Sequence, residues 1–219
     1  MPRVKDPLVT GEYYHVYNRG TDKRAVFMDH LDIRRFLKGM EMFNTQEPIY
    51  SIFRASRDEK SRGRTPTESS EEPLVEFVAY CLNPNHFHFL LKQETDGGIS
   101  EFMKRMGGYT SYFNNRHKRT GSLFQGKFKH KLIDSNEYLL HVSAYVNLNY
   151  KVHNVESDLH ASSWNEYVAD RQYSGLCNNA IILEQFQSSK KYKMFAESSL
   201  QDMIRKKKED KELRRVLLE

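Results

Sequence analysis

The chain has 219 residues, enough for one hydrophobic core with an appendage. Its formal charge of +5 and sequence pI near 9.0 favour a polyanionic partner. The apolar runs are too short to cross a bilayer, so we expect no membrane-spanning segment. Cys81 and Cys177 form no CxxC pair, which argues against a zinc knuckle or a disulfide scaffold. With two thiols and no signal peptide, we expect a cytoplasmic protein.

The first predicted elements are a strand and a helix. Residues 11–20 alternate aromatic or apolar with polar side chains and end in a turn signal, which predicts a strand. Residues 28–44 carry apolar side chains at helical spacing, and Asp29 or Asp32 can cap the first turn. Residues 54–73 contain a single small apolar side chain, so we predict a solvated, flexible loop.

A β-hairpin is predicted next. Residues 74–82 form an apolar run typical of a buried strand. The Asn-Pro-Asn turn at 83–85 then leads into a returning strand over residues 86–92.

The remaining core elements follow in the order helix, strand, helix. Residues 96–119 have helical spacing interrupted by a Gly-Gly pair. Residues 121–133 alternate again and predict a strand. Residues 134–154 predict a helix with Asp134 as N-cap and Glu137 three residues later, the capping-box spacing.

The order of these elements predicts the fold class. Strand, helix, strand, strand, helix and strand is the βαββαβ order of an α+β, ferredoxin-like antiparallel sheet with helices on one face. The helix over 134–154 is extra, and we expect it near the strand over 86–92. We therefore predict a domain over residues 1–154 and a mostly helical, charged C-terminal extension over 155–219.

Two histidines occur at an unusual spacing in the second hairpin strand. Side chains alternate faces along a strand, so His86 and His88 share one face, and the other carries Phe87, Phe89 and Leu91. Two imidazoles about 6.6 Å apart along a strand can bind one cation. The apolar face is expected to lie under the two sheet-covering helices.

The extra helix carries polar side chains that can complete such a site. Tyr138, His141, Tyr145 and Asn149 form one polar stripe. If this helix crosses the histidine face, Asn149 adds an amide oxygen to the cation site. The open positions and the amide favour Mg²⁺ or Mn²⁺ completed by phosphate oxygens. His141 is either a surface histidine or a support for a metal ligand.

Tyr145 is then a candidate nucleophile for phosphodiester chemistry. A phenol has a pKa near 10, and a nearby cation favours the phenolate and withdraws charge from phosphate oxygens. Attack at phosphorus would form a phosphotyrosine and conserve the bond energy, so that strands could be rejoined without an external energy source. Tyr109, Tyr112 and Tyr138 are rival nucleophiles.

These motifs resemble those of a known family. "HFHFL" at 86–90, "RHKRTGSLFQGKFK" at 116–129 and "HVSAYVNLN" at 141–149 resemble the single-tyrosine HUH transposases, most closely the REP-associated tyrosine transposases. The resemblance implies a metal-dependent transposase that acts on single-stranded DNA with hairpins. It also implies metal ligation by His86, His88 and Asn149, a 5′-phosphotyrosine on Tyr145, and a possible homodimer, because some relatives exchange the tyrosine helix.

A basic region flanks the predicted fourth strand. The lysines at 127, 129 and 131 have period-two spacing and form a stripe suited to a phosphate backbone, or else an ordinary solvated face. The predicted nucleic-acid-binding residues are Arg116, Lys118, Arg119, Lys127, Lys129 and Lys131. Tyr13, Tyr14 and Tyr17 could stack on exposed bases.

Two other functional classes fit the same residues. One is a domesticated protein that binds DNA hairpins without cleaving them. The other is a metal-dependent phosphodiesterase that hydrolyses through water and uses Tyr145 only for orientation. Hairpin DNA and a divalent metal would separate the three, because only the transposase forms a covalent adduct that depends on Tyr145.

Overall fold

A five-stranded antiparallel sheet organises the chain. The computed structural model describes residues 7–47, 72–155, 158–169 and 175–216, with side chains to residue 207. The strands are β1 (Tyr13–Arg19), β2 (Val75–Asn83), β3 (His86–Gln93), β4 (Lys129–Leu132) and β5 (Ala161–Ser162). Their spatial order is β4-β1-β3-β2-β5. The first four strands thus have the order expected of a ferredoxin-like sheet, and the predicted α+β fold class is confirmed.

Eight α-helices are described, together with a 3₁₀ turn at Thr21–Lys23. They are α1 (His30–Met42), α2 (Gly98–Met106), α3 (Tyr109–Arg116), α4 (Asn136–Asn147), α5 (Asn149–Val152), α6 (Trp164–Val168), α7 (Ala180–Leu183) and α8 (Ser189–Val216). Asp29 caps α1 by accepting hydrogen bonds from the backbone of Leu31 and Asp32. Among the described helices, none has an apolar stretch long enough to cross a membrane.

Helices α1 to α3 cover one face of the sheet and bury its aromatic side chains. Phe36 of α1 lies at the centre, with ring centroids 5.5 Å from Phe87, 6.4 Å from Phe89 and 5.0 Å from Tyr109. Phe87, Phe89 and Leu91 are all buried in this core. The side of β3 that carries them is therefore the one predicted from the period of the strand.

Helices α4 and α8 cover the opposite face. There the sheet contributes Leu90 and Cys81, and α4 contributes Val142 and Ala144. Tyr192 of α8 is fully buried in the same core. Both faces of the sheet are consequently sheltered, and the histidine side of β3 lies beneath α4.

Two predicted elements are shorter or more broken than the sequence indicated. The helix predicted over 96–119 is divided into α2 and α3 at the glycine pair Gly107–Gly108. The strand predicted over 121–133 pairs only over Lys129–Leu132, apart from one bridge between Gly20 and Phe124. Gly121 and Gly126 adopt positive φ angles of 82° and 72°, so the backbone turns there instead of continuing as a strand. The predicted loop over 54–73 lies outside the described residues except for its last two.

The helix predicted over 134–154 begins later and ends earlier than expected. The predicted cap, Asp134, is wrong: the N-cap is Ser135, whose backbone is extended and whose hydroxyl accepts from the Tyr138 N–H at 3.3 Å. At the other end Leu148 leaves helical geometry, with φ −106° and ψ 13°, and separates α4 from α5. Asn149 is consequently the first residue of a new helical turn.

Replacing Ser135 with Ala should lower the free energy of unfolding by about 1 kcal/mol, because a backbone donor of α4 loses its acceptor. The matched control Asp134→Ala should change it by less than about 0.5 kcal/mol, as is usual for exposed positions. Urea denaturation followed by circular dichroism measures both. Equal losses in the two variants would contradict this assignment of the cap.

Candidate active site

Four side chains from three elements meet under helix α4. His86 and His88 extend from β3, Tyr145 from α4 and Asn149 from α5. The Nε2 atom of His86 lies 3.0 Å from Oδ1 of Asn149. The rings of His88 and Tyr145 meet edge to face with centroids 5.5 Å apart, and the two imidazoles are 5.2 Å apart. Tyr145 and Asn149, the last two residues of the predicted polar stripe, therefore lie beside the histidine pair.

Asparagine side chains fix the orientation of His86. Oδ1 of Asn85 lies 2.6 Å from Nδ1 of His86. An amide oxygen only accepts, so Nδ1 carries the proton and Nε2 keeps its lone pair. Asn83 donates from Nδ2 to Oδ1 of Asn149 at 2.7 Å, and its Nδ2 lies 3.0 Å from Nε2 of His86. Nε2 of His86 and Oδ1 of Asn149 thus face the same point, next to the amide nitrogen of Asn83.

His88 is held by a third histidine and by aromatic stacking. Its Nδ1 atom lies 2.8 Å from Nε2 of His15 on β1. The His88 ring also stacks on His15 and on Tyr17, with centroid distances of 5.0 and 5.5 Å. The ring of Tyr145 meets His15 edge-on at 5.8 Å. His88 and Tyr145 therefore share a neighbour in His15.

Burial sets the protonation states at the site. It lowers the pKa of His86, and it lowers the pKa of His88 well below the ordinary value, with nearby imidazoles adding to the effect. Burial raises the pKa of the Tyr145 phenol, and the nearby Asn149 amide opposes that rise. Both imidazoles are consequently neutral and the phenol is protonated near pH 7.

The donor chemistry fits a divalent metal ion. Imidazole nitrogens bind metals in their neutral form, and an amide oxygen is a hard neutral ligand. Asn149 is fully buried, and its Nδ2 atom has no hydrogen-bond partner in the described part of the chain. Its amide oxygen, by contrast, faces Nε2 of His86. Within the same residues, no three His, Cys, Asp or Glu side chains are grouped to hold a metal, so such an ion would rest on two imidazoles and this amide.

A cavity of about 270 Å³ opens directly onto the histidine pair and Tyr145. Its wall also includes cationic and polar side chains: Arg19, Asn85, Gln125, Lys129 and His153. A second cavity of about 470 Å³ lies against Tyr145, lined in part by Lys131, Tyr138 and His141. The phenol thus borders two spaces, and a positively charged side chain lines each of them.

The C-terminal helix α8 contacts His153, which lines the 270 Å³ cavity. The rings of His153 and His86 are 4.6 Å apart. Lys207 of α8 lies with Nζ 3.1 Å from Nδ1 of His153 and donates to the Val152 carbonyl at 2.8 Å. Burial, followed by the charges of neighbouring groups, lowers the pKa of His153 to about 4. The extension beyond residue 155 therefore contributes to the surroundings of the site.

The three predicted stripe lysines are exposed but open onto different spaces. Lys129 lines the 270 Å³ cavity and Lys131 the 470 Å³ cavity, where Nζ of Lys131 lies 4.4 Å from the centre of the Tyr138 ring. Lys127 precedes β4 and lines a cavity of about 660 Å³ next to α2. Lys129 and Lys131 are thus the stripe residues beside Tyr145.

The other predicted basic residues lie away from the histidine pair. Arg116 bridges Asp29 and the fully buried Asp32, each at 2.6 Å. The guanidinium of Arg119 donates to Oδ1 of Asn114 at 2.9 Å, and Lys118 is exposed. The two arginines use their donors to join parts of the protein itself.

Tyr14 has different surroundings from those expected, whereas His141 has the surface position that was one of its two expected roles. Tyr14 is fully buried and its hydroxyl donates to the Pro7 carbonyl, so stacking of Tyr14 on DNA bases is wrong. It points to the opposite face from Tyr13 and Tyr17, because side chains alternate along β1. His141 is exposed, and its ring lies 5.3 Å from Phe195.

Four polar neighbours of the site were not among the residues predicted from the sequence: His15, Asn83, Asn85 and His153. For His15 a signal was available, because the predicted fold sets β1 beside β3 and the strand period puts His15 and Tyr17 on one face. The register that brings His15 to His88 was not available. Asn83 and Asn85 were read only as turn residues, and no sequence pattern pointed to His153.

The chain is similar to known transposases, to a family in sequence and to a solved structure in fold. Residues 50–149 match the family model described as IS200-like transposase. This range includes both histidines, Tyr145 and Asn149. Among solved structures, the chain is similar to a REP-associated tyrosine transposase bound to a REP hairpin, at 14% identity and a TM-score of 0.50. The alignment covers 79% of this chain and 88% of that one, and at this identity it shows a shared fold. No curated protein matches the chain significantly.

Proposed function

Residues 50–149 match the IS200-like transposase family, and on that premise we propose that this chain is such a transposase and that it cleaves and rejoins single-stranded DNA with Tyr145 as nucleophile. The observation that carries the proposal is the edge-to-face contact of Tyr145 with His88, 5.5 Å between ring centres, beside the His86–Asn149 pair. A phenol can act as the nucleophile, and two neutral imidazoles with an amide oxygen can bind a metal ion that assists attack on a phosphodiester.

His86, His88 and Asn149 would hold the metal ion, Mg²⁺ or Mn²⁺. When bound, it would withdraw charge from the phosphate oxygens and favour the ionised phenol. Asn85 and Asn83 keep the donor atoms of His86 and Asn149 directed at this space. Their role is to hold the ligands in place before DNA arrives, which lowers the cost of assembling the site.

Tyr145 would carry out the covalent step. Its Oη attacks phosphorus, the bond between phosphorus and the 3′ oxygen breaks, and a 5′-phosphotyrosine forms. The phenol proton passes to water in the 270 Å³ cavity, and the departing 3′ oxygen takes a proton from water. In rejoining, a 3′-hydroxyl attacks the phosphotyrosine and the phenol leaves. Total phosphodiester bonds are conserved, so no nucleotide cofactor is needed.

Basic side chains at the two cavities would hold the DNA backbone. Arg19 and Lys129 line the space in front of the histidine pair, and Lys131 lines the neighbouring space. A strand that crosses Tyr145 would pass from one group of charges to the other. Contacts of this kind make affinity fall with rising salt concentration. We do not assign DNA contacts to Arg116, because its guanidinium is occupied by Asp29 and Asp32.

We further propose that the DNA contains hairpins, that the protein acts in the cytoplasm and that one chain builds the site. Hairpin recognition is supported by the similar structure, which holds a REP hairpin. A site within one chain is supported by the position of Tyr145 beside the histidines of its own chain. We propose that the catalytic domain ends near residue 154 and that α8 covers its second face, as the buried Tyr192 supports.

A library of end-labelled oligonucleotides, each with a stem-loop flanked by randomised single strands, tests the proposal. Incubation with protein and Mg²⁺ or Mn²⁺, followed by a denaturing gel, should give cleaved strands and a protein–DNA adduct that survives denaturant. Retarded DNA on a native gel without cleavage would instead indicate a domesticated hairpin-binding protein. Cleavage to free 5′-phosphate with no adduct would indicate a hydrolytic phosphodiesterase.

A further inference from the structure

His15 lies at a position from which it can control one of the two histidines of the proposed metal site. In the antiparallel pairing of β1 with β3, His15 is opposite Leu90 and Tyr17 is opposite His88. His15 and His88 are thus diagonal neighbours on the same face of the sheet. Their rings stack at 5.0 Å with an interplanar angle of 18°, and Nε2 of His15 lies 2.8 Å from Nδ1 of His88.

A contact of this length between two ring nitrogens requires a single shared proton. One nitrogen must donate and the other must accept. If His15 donated, His88 would carry its own proton on Nε2 and could not offer that nitrogen to a metal. If His88 donates from Nδ1, its Nε2 keeps the lone pair that a metal needs. The direction of this one hydrogen bond therefore decides whether His88 is a competent ligand.

The neighbouring histidine has the equivalent arrangement. His86 donates from Nδ1 to Oδ1 of Asn85, which keeps the lone pair on Nε2, the atom that faces Asn149 and the amide nitrogen of Asn83. Histidine ligands of metals generally donate their second N–H to a fixed acceptor, which sets both tautomer and ring orientation. His15 occupies for His88 the place that Asn85 occupies for His86.

We propose that His15 is a positioning residue that accepts the Nδ1 proton of His88 and thereby presents Nε2 of His88 to the metal. The inference rests on the proposed function, since it assumes that His88 binds the ion. His15 is not itself a ligand in this account, because its Nε2 is directed at His88. Its ring also meets the edge of Tyr145 at 5.8 Å, so it contacts both a ligand and the nucleophile.

Two substitutions separate the acceptor from the ring. His15→Phe keeps an aromatic ring for stacking but removes the acceptor, and His15→Gln keeps an acceptor without the ring. Isothermal titration with Mn²⁺, in the absence of DNA, should show binding about 10- to 100-fold weaker in His15→Phe than in the unmodified protein. His15→Gln should lose less affinity than His15→Phe. Circular dichroism and melting temperature, measured without metal, report whether each variant folds.

The titration distinguishes failure of this inference from failure of the proposed function. If the unmodified protein binds no Mn²⁺, the metal site itself is wrong. If it binds Mn²⁺ and folded His15→Phe binds equally well, His15 does not position His88, while the proposed function stands. A greater loss in His15→Gln than in His15→Phe would also overturn the inference, because stacking would then outweigh the acceptor.

A measurement on the unmodified protein needs no variant of His15 to fold. Long-range ¹H–¹⁵N correlation spectra distinguish the two neutral tautomers of histidine. Of the nine histidine signals, the one lost in His88→Ala identifies His88. The inference predicts that metal-free His88 carries its proton on Nδ1. A proton on Nε2 would overturn it.

Discussion

Replacing Tyr145 with Phe is expected to abolish the covalent adduct and to reduce strand cleavage by about 1,000-fold or more, because the attacking oxygen is removed. The ring remains, so its edge contacts with His88 and His15 should be kept. DNA affinity should change little, since the phosphate contacts come from other side chains. Denaturing gels measure the adduct and the cleaved strand, and fluorescence anisotropy measures affinity on the same labelled DNA.

Tyr112→Phe provides a matched control for that substitution. Tyr112 lies on α3, on the opposite side of the sheet, where the Arg35 guanidinium lies 5.1 Å from its ring centre. It was a rival nucleophile by sequence, and its removal should leave cleavage unchanged. If Tyr145→Phe still cleaved DNA, the nucleophile would be water, as expected of a phosphodiesterase. Loss of DNA binding in both variants would point to damaged folding.

The second large effect is expected on metal binding. His86→Ala should weaken Mn²⁺ binding by more than about 100-fold, because a ligand is lost and not merely its outer partner. Cleavage should fall with it, as it should when EDTA removes the metal from the unmodified protein. Mn²⁺ at about 100 times its dissociation constant stabilises a folded protein by about 2.7 kcal/mol. The melting temperature of the unmodified protein should therefore rise with Mn²⁺, and that of His86→Ala should not.

His30→Ala is the corresponding control. His30 lies on the exposed side of α1, with Nε2 3.5 Å from Oδ2 of Asp158. It removes an imidazole without touching the candidate site, so stabilisation by Mn²⁺ and cleavage should both be retained. If Mn²⁺ stabilised His86→Ala as much as the unmodified protein, the ion would bind elsewhere and the assignment of His86 as a ligand would fail.

The layout of the sheet could be predicted because it depends on periodicity. The alternation along residues 86–92 assigned Phe87 and Phe89 to one core and the histidines to the other side, and the structure agrees. The order of elements gave the sheet topology, since a βαββαβ chain has few ways to bury both helices. Both the alternation of side chains and the order of elements can be read from short stretches of sequence.

Features that depend on backbone dihedral angles or on strand register could not be predicted from the sequence. The strand over 121–133 was overestimated, because alternation continued through Gly121 and Gly126, whose positive φ angles turn the chain. The cap of α4 was assigned one residue too early, since Asp134 and Ser135 are both good caps and only the dihedral angles choose between them. A pattern of residue types does not contain those angles.

Some residues of the site could be predicted from the sequence, because they are regularly spaced on one predicted strand or helix. Tyr145 and Asn149 were found from spacing on one predicted helix, although the helix is interrupted at Leu148. His15 was not found, because its contact with His88 depends on the pairing register of two strands separated by more than 60 residues. Side chains that reach a site through tertiary contacts leave no local signature, whereas those on one strand or helix do.

Peptide mapping of the adduct tests the central claim most directly. After cleavage of labelled hairpin DNA, nuclease trimming and proteolysis, tandem mass spectrometry locates the amino acid that carries the nucleotide. Our account predicts a 5′-phosphonucleotide on Tyr145 and a free 3′-hydroxyl on the released strand. A nucleotide attached to any of the other tyrosines, or cleavage that leaves every tyrosine unmodified, would contradict it.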